Sequence, residues 1–338
     1  MTQVTPASRR HATANLPPPE DGDAVEVSGL RCRYGDFDAV RGIDLTVRAG
    51  EVFALLGTNG AGKTTTLEVL SGFHRPAGGT VRVLGIDPAT QSAKLRSQLG
   101  VMMQEGGFVG ELTTVETLLL WQRLVSRPDD PERLLARFDL GSRRDVAVAK
   151  LSGGERRRLD LALAVWGTPK LVILDEPTTG LDPESRRRAW DAIGELAEAG
   201  RTVVLTTHYL EEAEALADRV AIMHGGRIAA TGTLAEITAS QPARFDARIV
   251  GPPPAPPPEI SGELVLGRDG PDTTVTGATD HLQQDLTLLL NWAERHSVTL
   301  EGLRAAPASL EAVYHAVRES DSETNQDEHH KTETEVSL

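Results

Sequence analysis

Short apolar runs recur along the first 240 residues and are separated by longer stretches with helical periodicity. These runs are Val52–Leu56, Val81–Leu84, Leu99–Met103, Leu171–Leu174, Val203–Thr207 and Val220–Met223. Continuous apolar runs of strand length are typical of strands that are buried on both faces. Their alternation with helices predicts an α/β fold with a mainly parallel sheet and helices on both sides.

Two further patterns modify this α/β core. The Gly- and Thr-rich pieces Gly42–Gly50 and Gly78–Gly85 predict added antiparallel strands, and His224–Arg227 predicts a hairpin turn. The amphipathic stretches Thr114–Trp121 and Glu132–Phe138 predict helices. We interpret residues from about 107 to 150 as a helical subdomain inserted into the core.

The remainder of the chain has a different character. Prolines crowd residues 252–258, so we interpret residues 241–260 as a stiff linker. The pattern of residues 261–318 predicts a small α+β domain. The predicted strands are Leu264–Leu266, Thr273–Thr276 and Val298–Leu303, and the predicted helices are Leu282–Trp292 and Ala308–Val317. The ends, residues 1–23 and the acidic residues 319–338, lack apolar periodicity and are expected to be disordered.

Charge and composition limit the classes of function. The chain has 35 basic and 49 acidic residues, a formal net charge of −14. Broad nucleic-acid binding needs a basic face, so no nucleic-acid partner is expected. No run approaches the roughly 20 apolar residues of a membrane span, and the single cysteine, Cys32, is typical of a reducing compartment. These features predict a soluble intracellular protein.

A phosphate-binding loop follows the first of the central strands. The sequence GTNGAGKTT over residues 57–65 fits the pattern G-x-x-x-x-G-K-[ST] between a predicted strand and a predicted helix. Glycines allow the backbone to surround an anion, and the helix N-terminus adds a positive partial charge. Lys63 is expected to reach the β- and γ-phosphates, and the Thr64 hydroxyl is expected to hold Mg²⁺.

Polar residues end three of the other apolar strands. Asp175 ends the run at 171–174 and is expected to hold Mg²⁺, while Glu176 beside it would act as general base toward water. His208 follows the run at 203–207, where the sheet would bring it beside Asp175 and the γ-phosphate. Gln104 follows the run at 99–103, from which its side chain could reach Mg²⁺ or water.

A second anion site is indicated by the segment LSGGE at residues 151–155. Ser152 is a good helix N-cap, and Gly153 and Gly154 leave backbone N–H groups accessible. Considered alone, this segment is an ordinary capped helix start.

Taken together, these motifs resemble the nucleotide-binding domain of ATP-binding cassette (ABC) transporters, a P-loop NTPase fold. The ordered set is GTNGAGKTT, Gln104, LSGGE, LVILDEP, Gly180-Leu181-Asp182 and His208, and the resemblance covers residues 24–240. It implies ATP and Mg²⁺ as cofactors, with Gly57, Asn59, Gly60, Gly62, Lys63, Thr64 and Thr65 at the phosphates.

The resemblance also implies partners and further site residues. In this family two such domains pair head to tail, as a homodimer or heterodimer, and each ATP lies between one phosphate loop and the partner's LSGG segment. Ser152, Gly153 and Gly154 would then contact the γ-phosphate in the partner's site, and Asp182 would bridge the subunits. Tyr34 would stack on adenine, and the loop after Gln104 would sense an integral membrane permease.

Two positions depart from the family pattern, and the end of the chain refines the match. Glu155 stands where Gln is usual, and Thr58 stands where Pro is frequent.

The segments Leu300–Arg304 and Pro307–Tyr314 resemble the C-terminal appendage of drug-resistance exporters. The resemblance therefore implies an ATPase subunit of an exporter, peripheral on the cytoplasmic face of the cell membrane, that powers efflux of a substrate; a drug or an antibiotic is one candidate class.

Two other classes of protein fit these motifs less well. A soluble ABC-type ATPase of DNA repair or translation would usually carry two cassettes, coiled-coil insertions or basic arms. A P-loop kinase or GTPase would not explain LSGGE, and no guanine-reading N-K-x-D segment is evident.

Overall fold

The computed structural model describes residues 22–104, 106–239 and 241–318. The acidic tail predicted at 319–338 lies outside the described residues, as does the predicted leader apart from Gly22 and Asp23. The chain divides into two compact units between Thr231 and Gly232, and each unit is described by itself.

The first unit combines two sheets with helices. Its strands are β1 (Asp23–Tyr34), β2 (Phe37–Arg48), β3 (Val52–Gly57), β4 (Gly78–Val83), β5 (Leu99–Met102), β6 (Leu171–Asp175), β7 (Thr202–Thr207), β8 (Arg219–His224) and β9 (Arg227–Gly232). Its helices are α1 (Lys63–Leu70), α2 (Ser92–Arg96), α3 (Thr114–Leu124), α4 (Pro131–Arg137), α5 (Gly153–Ala164), α6 (Pro183–Glu198) and α7 (Leu210–Leu216), with 3₁₀ turns at Gly141–Arg143 and Val148–Lys150.

The central sheet has the strand order β5-β6-β7-β3-β8-β9, and its registers from β5 through β8 are parallel. Every residue of β3, β6 and β7 is buried, as expected for strands covered on both faces. The predicted mainly parallel sheet is confirmed. Because β6, β7 and β3 are neighbours, the residues that follow them meet at one edge of the sheet.

A second, antiparallel sheet has the order β2-β1-β4. One apolar cluster joins Val25 and Val83 of this sheet to Phe53 of the central sheet and to Leu67 and Leu70 of α1. Burial of each such side chain contributes about 1.5–3 kcal/mol, so α1 is fixed between the two sheets. The antiparallel strands predicted at 42–50 and 78–85 are confirmed. Strand β1 was not predicted, because charged residues interrupt its apolar positions.

The helical segment between β5 and β6 begins with well-capped helices. Thr113 and Glu116 form a capping box at the start of α3, and Asp130 caps α4 with Pro131 at its first position. Helix α5 contacts β5 and β6, and α6 contacts β7. The predicted helices of the 107–150 region are confirmed.

The second unit is an α+β domain. Its elements are α8 (Leu234–Thr238), β10 (Ala243–Ile249), β11 (Glu263–Asp269), β12 (Asp272–Thr279), α9 (Leu282–Arg295), β13 (Leu300–Ala306) and α10 (310–318). The sheet is antiparallel with the order β11-β12-β10-β13. Phe245, Ile249 and Val275 of the sheet pack with Leu289 and Trp292 of α9 in one core.

The linker predicted at 241–260 is wrong for residues 243–249. These residues form the interior strand β10, in which Phe245, Ala247 and Ile249 are buried and alternate with exposed polar residues. Phe245 lies opposite Gly277, where a Cβ atom would come within 2.1 Å of its ring. The alternation of apolar and polar residues in β10 was hard to recognise in the sequence, because the strand is short and is followed by prolines.

Within the described ranges, no helix is both long enough and apolar enough to cross a bilayer.

Candidate functional site

The phosphate loop joins β3 to α1 at the carboxyl edge of the central sheet. Gly60 and Gly62 have φ values of 79° and 102°, which favour glycine. A Cβ atom on Gly62 would lie 2.5 Å from the Ala39 carbonyl oxygen and 2.7 Å from the Met223 side chain. The loop conformation therefore depends on glycine at position 62.

Lys63 folds back across this loop. Its Nζ donates to the carbonyl oxygens of Gly57 at 2.7 Å and Thr58 at 3.1 Å. Burial lowers the pKa of Lys63, and the negative charges of Glu176 and Asp175 oppose that shift. The acceptor at position 58 is a backbone carbonyl, which Thr and Pro both have. The presence of Thr58 in place of Pro therefore preserves the hydrogen bond from Lys63. The bonded carbonyls are neutral, so an anionic ligand can compete for the ammonium group.

Two threonines hold the buried carboxylate of Asp175. The Thr64 hydroxyl donates to Oδ2 at 2.8 Å, and the Thr206 hydroxyl of the neighbouring strand donates to Oδ1. Asp175 is fully buried at the end of β6. A carboxylate and a hydroxyl in direct contact are the oxygen donors that Mg²⁺ takes from proteins beside substrate phosphates. The residues present fit that cation.

Glu176 has an unusual backbone, with φ at 49°. Its N–H donates to the carbonyl oxygen of Thr206 at 3.2 Å and to the Thr206 hydroxyl at 3.0 Å. Its carboxylate accepts a 3.1 Å bond from Thr179 and lies 3.4 Å from Nδ1 of His208. Strands β6 and β7 thus bring Glu176 and His208 together.

The LSGG segment begins α5. Ser152 and Glu155 form a capping box: Glu155 N–H donates to the Ser152 hydroxyl, and Ser152 N–H donates to the Glu155 carboxylate. Arg143 also donates to Glu155 at 2.6 Å, and this bond, followed by the bond from Ser152 N–H, lowers the pKa of Glu155. The carboxylate of Glu155 is therefore bound by Arg143 and by the Ser152 N–H of the same chain. In the described part of the chain, no hydrogen bond or ion pair joins residues 152–154 to the phosphate loop.

Other predicted residues lie around this edge. Asp182 caps α6 by accepting from the N–H groups of Glu184 and Ser185, and hydrogen bonds from the side chain and then the N–H of Ser185 lower its pKa. The half-exposed Tyr34 donates to Glu68 at 2.8 Å, and its ring centroid is 4.8 Å from that of His74.

The rest of the predicted set is at or near the surface. Gln104 is exposed just beyond β5, Asn59 is exposed in the phosphate loop, and Thr65 is partly buried in the first turn of α1.

Three residues of the site were not predicted from sequence. Thr206 and Thr179 hold the two carboxylates, and Arg157 binds backbone carbonyls behind them. Strand β7 contains three buried threonines, Thr202, Thr206 and Thr207, so its sequence signals a polar strand end but does not single out Thr206. Arg157 lies in a run of three arginines, and sequence alone does not distinguish one from another.

Comparison with known proteins identifies the family. The ABC transporter family model matches residues 40–179, and a model for the C-terminal domain of ABC transporter domain-containing protein-like chains matches residues 253–309. The daunorubicin/doxorubicin resistance ATP-binding protein DrrA of Streptomyces peucetius is 38% identical over 304 residues, which are 87% of this chain and 92% of that protein. The chain belongs to the ABC transporter family.

Further relatives agree. The Nod factor export ATP-binding protein I of Burkholderia orbicola is 37% identical and matches over 68% of this chain and 78% of that protein. A solved structure of the ATP-binding subunit of an ABC transporter is 30% identical, with a TM-score of 0.60, and covers 64% of this chain and 92% of that chain. The predicted P-loop NTPase fold and ABC-type ATPase subunit of an exporter are confirmed.

Proposed function

We propose that this chain hydrolyses Mg-ATP at the edge formed by β3, β6 and β7, and that this drives export of a drug-like or antibiotic substrate through a separate membrane permease. The observation that carries the proposal is the convergence of Lys63, Thr64, Asp175, Glu176 and His208 at that edge. The names of the daunorubicin-resistance relatives support the substrate class.

Nucleotide binding follows from the loop. Backbone N–H groups around Gly60 and Gly62 and the N-terminus of α1 attract the phosphates, with Asn59 and Thr65 beside them. Lys63 exchanges its carbonyl partners for phosphate oxygens. Tyr34 provides an exposed ring for adenine.

Thr64, Asp175 and Gln104 would hold Mg²⁺. When bound, this ion neutralises charge that develops on the phosphates. Thr206 donates to Oδ1 of Asp175 and Thr64 donates to Oδ2, so Oδ2 and the Thr64 hydroxyl are adjacent oxygen donors for the ion.

Glu176 accepts a proton from the attacking water. Its carboxylate accepts a hydrogen bond from Thr179 and lies 3.4 Å from Nδ1 of His208, so the two side chains together can contact the water and the γ-phosphate. Lys63 stabilises negative charge on the transferred phosphoryl group.

The LSGG segment completes a site in a second subunit. Ser152 and Gly153 are exposed and Gly154 is partly exposed, so their N–H groups and the N-terminal dipole of α5 are accessible to an anion from outside the protomer. Asp182 is exposed at the start of α6 and would contact the second subunit. Two copies, or this chain and a related subunit, would bind two ATP molecules between them.

A groove beside α3 would receive the permease. It has a volume of about 740 Å³, and its lining includes Phe73, Phe108, Leu120 and Leu124. Phe73 is 59% exposed and Leu124 is 69% exposed, an unusual state for large apolar side chains that line one groove. An amphipathic helix on the cytoplasmic side of the permease fits such a groove, and this docking would hold the chain at the cytoplasmic face of the membrane.

The substitution Glu176→Gln tests the catalytic assignment. It should lower kcat for ATP hydrolysis by at least about a hundredfold, because the general base is lost, and should leave the Kd for ATP within about threefold. The matched control is Glu198→Gln, which changes an exposed carboxylate at the far end of α6. An unchanged kcat in Glu176→Gln would remove Glu176 from this role.

A further inference from the structure

One guanidinium group binds the backbone at the ends of two neighbouring strands. Arg157 Nη1 donates to the carbonyl oxygens of Met103 and Gln104, each at 3.2 Å. Its Nη2 donates to the carbonyl oxygens of Asp175 and Glu176, the latter at 2.5 Å. Arg157 belongs to α5, so this helix is tied to the chain beyond β5 and to the end of β6.

The position of Arg157 suits this task. All four acceptors are neutral backbone carbonyls, so the contact is set by the fixed fork of the guanidinium. Burial lowers the pKa of Arg157, and the nearby carboxylate of Asp160, followed by those of Asp175 and Glu176, opposes the shift. An arginine remains charged under such conditions.

The neighbouring arginines have other roles. Arg156 is exposed and donates to the Leu151 carbonyl, just before its own helix, at 3.4 Å. Arg158 forms an ion pair with Asp139 at 3.1 Å. Of the three consecutive arginines, Arg157 is the one whose hydrogen bonds reach the strand ends that carry the site.

Glu176 requires such support. Its φ of 49° lies in the left-handed region, which costs a residue with a side chain about 1–3 kcal/mol and persists only where the surroundings enforce it. Thr206 holds the N–H of Glu176, and Arg157 holds its carbonyl. The peptide groups on both sides of its Cα atom are thereby fixed, and with them the direction of its carboxylate.

We infer that Arg157 is a positioning residue for ATP hydrolysis, which orients Glu176 and couples it to the segment that carries Gln104. The inference rests on the proposed function of Glu176. Because the same guanidinium holds Gln104 and Glu176 by their carbonyls, a displacement of the chain after β5 would be passed to the carboxylate. The hydrogen bonds of Arg157 go to backbone carbonyls, so it would act on the reaction through Glu176.

The experiment compares Arg157→Lys with Arg156→Lys in the full-length protein. Lysine keeps the charge but cannot bind four carbonyls in a plane, so Arg157→Lys should lower kcat at least about tenfold and leave the Kd for ATP within about threefold. Arg156→Lys should keep both values within about twofold. Arg157→Gln, which can donate two hydrogen bonds, should also lower kcat, and circular dichroism should report a native fold.

Each result decides the matter. A wild-type kcat in Arg157→Lys, or a weakened Kd with unchanged kcat, overturns the inference. Loss of folding in both Arg157 variants also overturns it, because the residue would then support the whole fold. Glu176→Gln, measured in parallel, separates the two proposals: if it retains kcat, the proposed function fails, and if it loses kcat while Arg157→Lys does not, only the positioning role fails.

Discussion

The hydroxyl of Thr64 donates a 2.8 Å hydrogen bond to the carboxylate of Asp175, across 111 positions of sequence. Thr64 lies in the first turn of α1 and Asp175 at the end of β6. The parallel sheet brings the two groups together because β6 is separated from β3 only by β7. Two motifs that are far apart in the chain therefore form one set of oxygen donors.

Thr64→Val should raise the Mg²⁺ concentration needed for half-maximal ATP hydrolysis by about tenfold or more, because it removes one oxygen donor and keeps the volume. The measurement is a Mg²⁺ titration of activity at saturating ATP. Thr46→Val, an exposed strand position, is the control. An unchanged Mg²⁺ requirement would exclude the Thr64 hydroxyl from the cation site.

A mixture of Ser152→Arg and Lys63→Ala subunits should recover ATPase activity that neither variant has alone. The two changes affect different halves of a shared site, so a mixed dimer contains one intact pair of halves. Activity should be measured against the mixing ratio, with a maximum near equal amounts. Activity that never exceeds the sum of the separate variants would contradict assembly of the site between subunits.

Leu120→Asp should prevent co-purification of an integral membrane protein from gently solubilised cells, because a carboxylate in the apolar groove opposes docking. Leu120 is 39% exposed and lines the groove. The neighbouring Leu119 is 43% exposed and is outside that lining, so Leu119→Asp is the matched control. ATPase activity without the permease should stay within about twofold in both variants.

Equal loss of the membrane protein in both variants would contradict the groove as the docking surface. Recovery of ribosomes or DNA in place of a permease would overturn the transport proposal itself.

The stability of the first unit should depend on pH through Asp160. Burial raises the pKa of this carboxyl to about 6, opposed by Arg157 and Arg156. A raised pKa means that the folded state binds the proton more tightly, so this group favours folding below its ordinary pKa near 4, and that advantage is lost as pH rises through 6. Asp160→Asn should therefore be more stable than the parent protein at pH 8, by about 3 kcal/mol.

Urea unfolding at pH 4.5 and pH 8 measures this difference, which should shrink markedly at the lower pH. Asp191→Asn, which changes an exposed carboxylate on α6, is the control. A lower stability of Asp160→Asn at pH 8 would indicate that attraction to Arg157 outweighs the cost of burial.

Much of the fold was predictable because its signals are local. The apolar runs of β3, β6 and β7 are buried on both faces, and that environment selects continuous apolar sequence. Strands β1 and β10 have one partly exposed face and mix charged residues with apolar ones, so they lack such a run. The prolines at 252–258 also drew the predicted linker over β10.

The sequence by itself determined the phosphate loop, the acidic strand end and the LSGG helix start, because each depends on residue types at fixed short spacings. Only the tertiary structure decided that Thr206 binds the carboxylate of Asp175 and that Arg143 binds the carboxylate of Glu155. It also decided that Arg157 binds the backbone carbonyl of Glu176. The first two contacts join side chains that only the fold brings together, and the bond from Arg157 goes to a backbone carbonyl, which needs no particular residue at the acceptor position. Such contacts become visible only when the chain has brought distant strand ends within reach of one side chain.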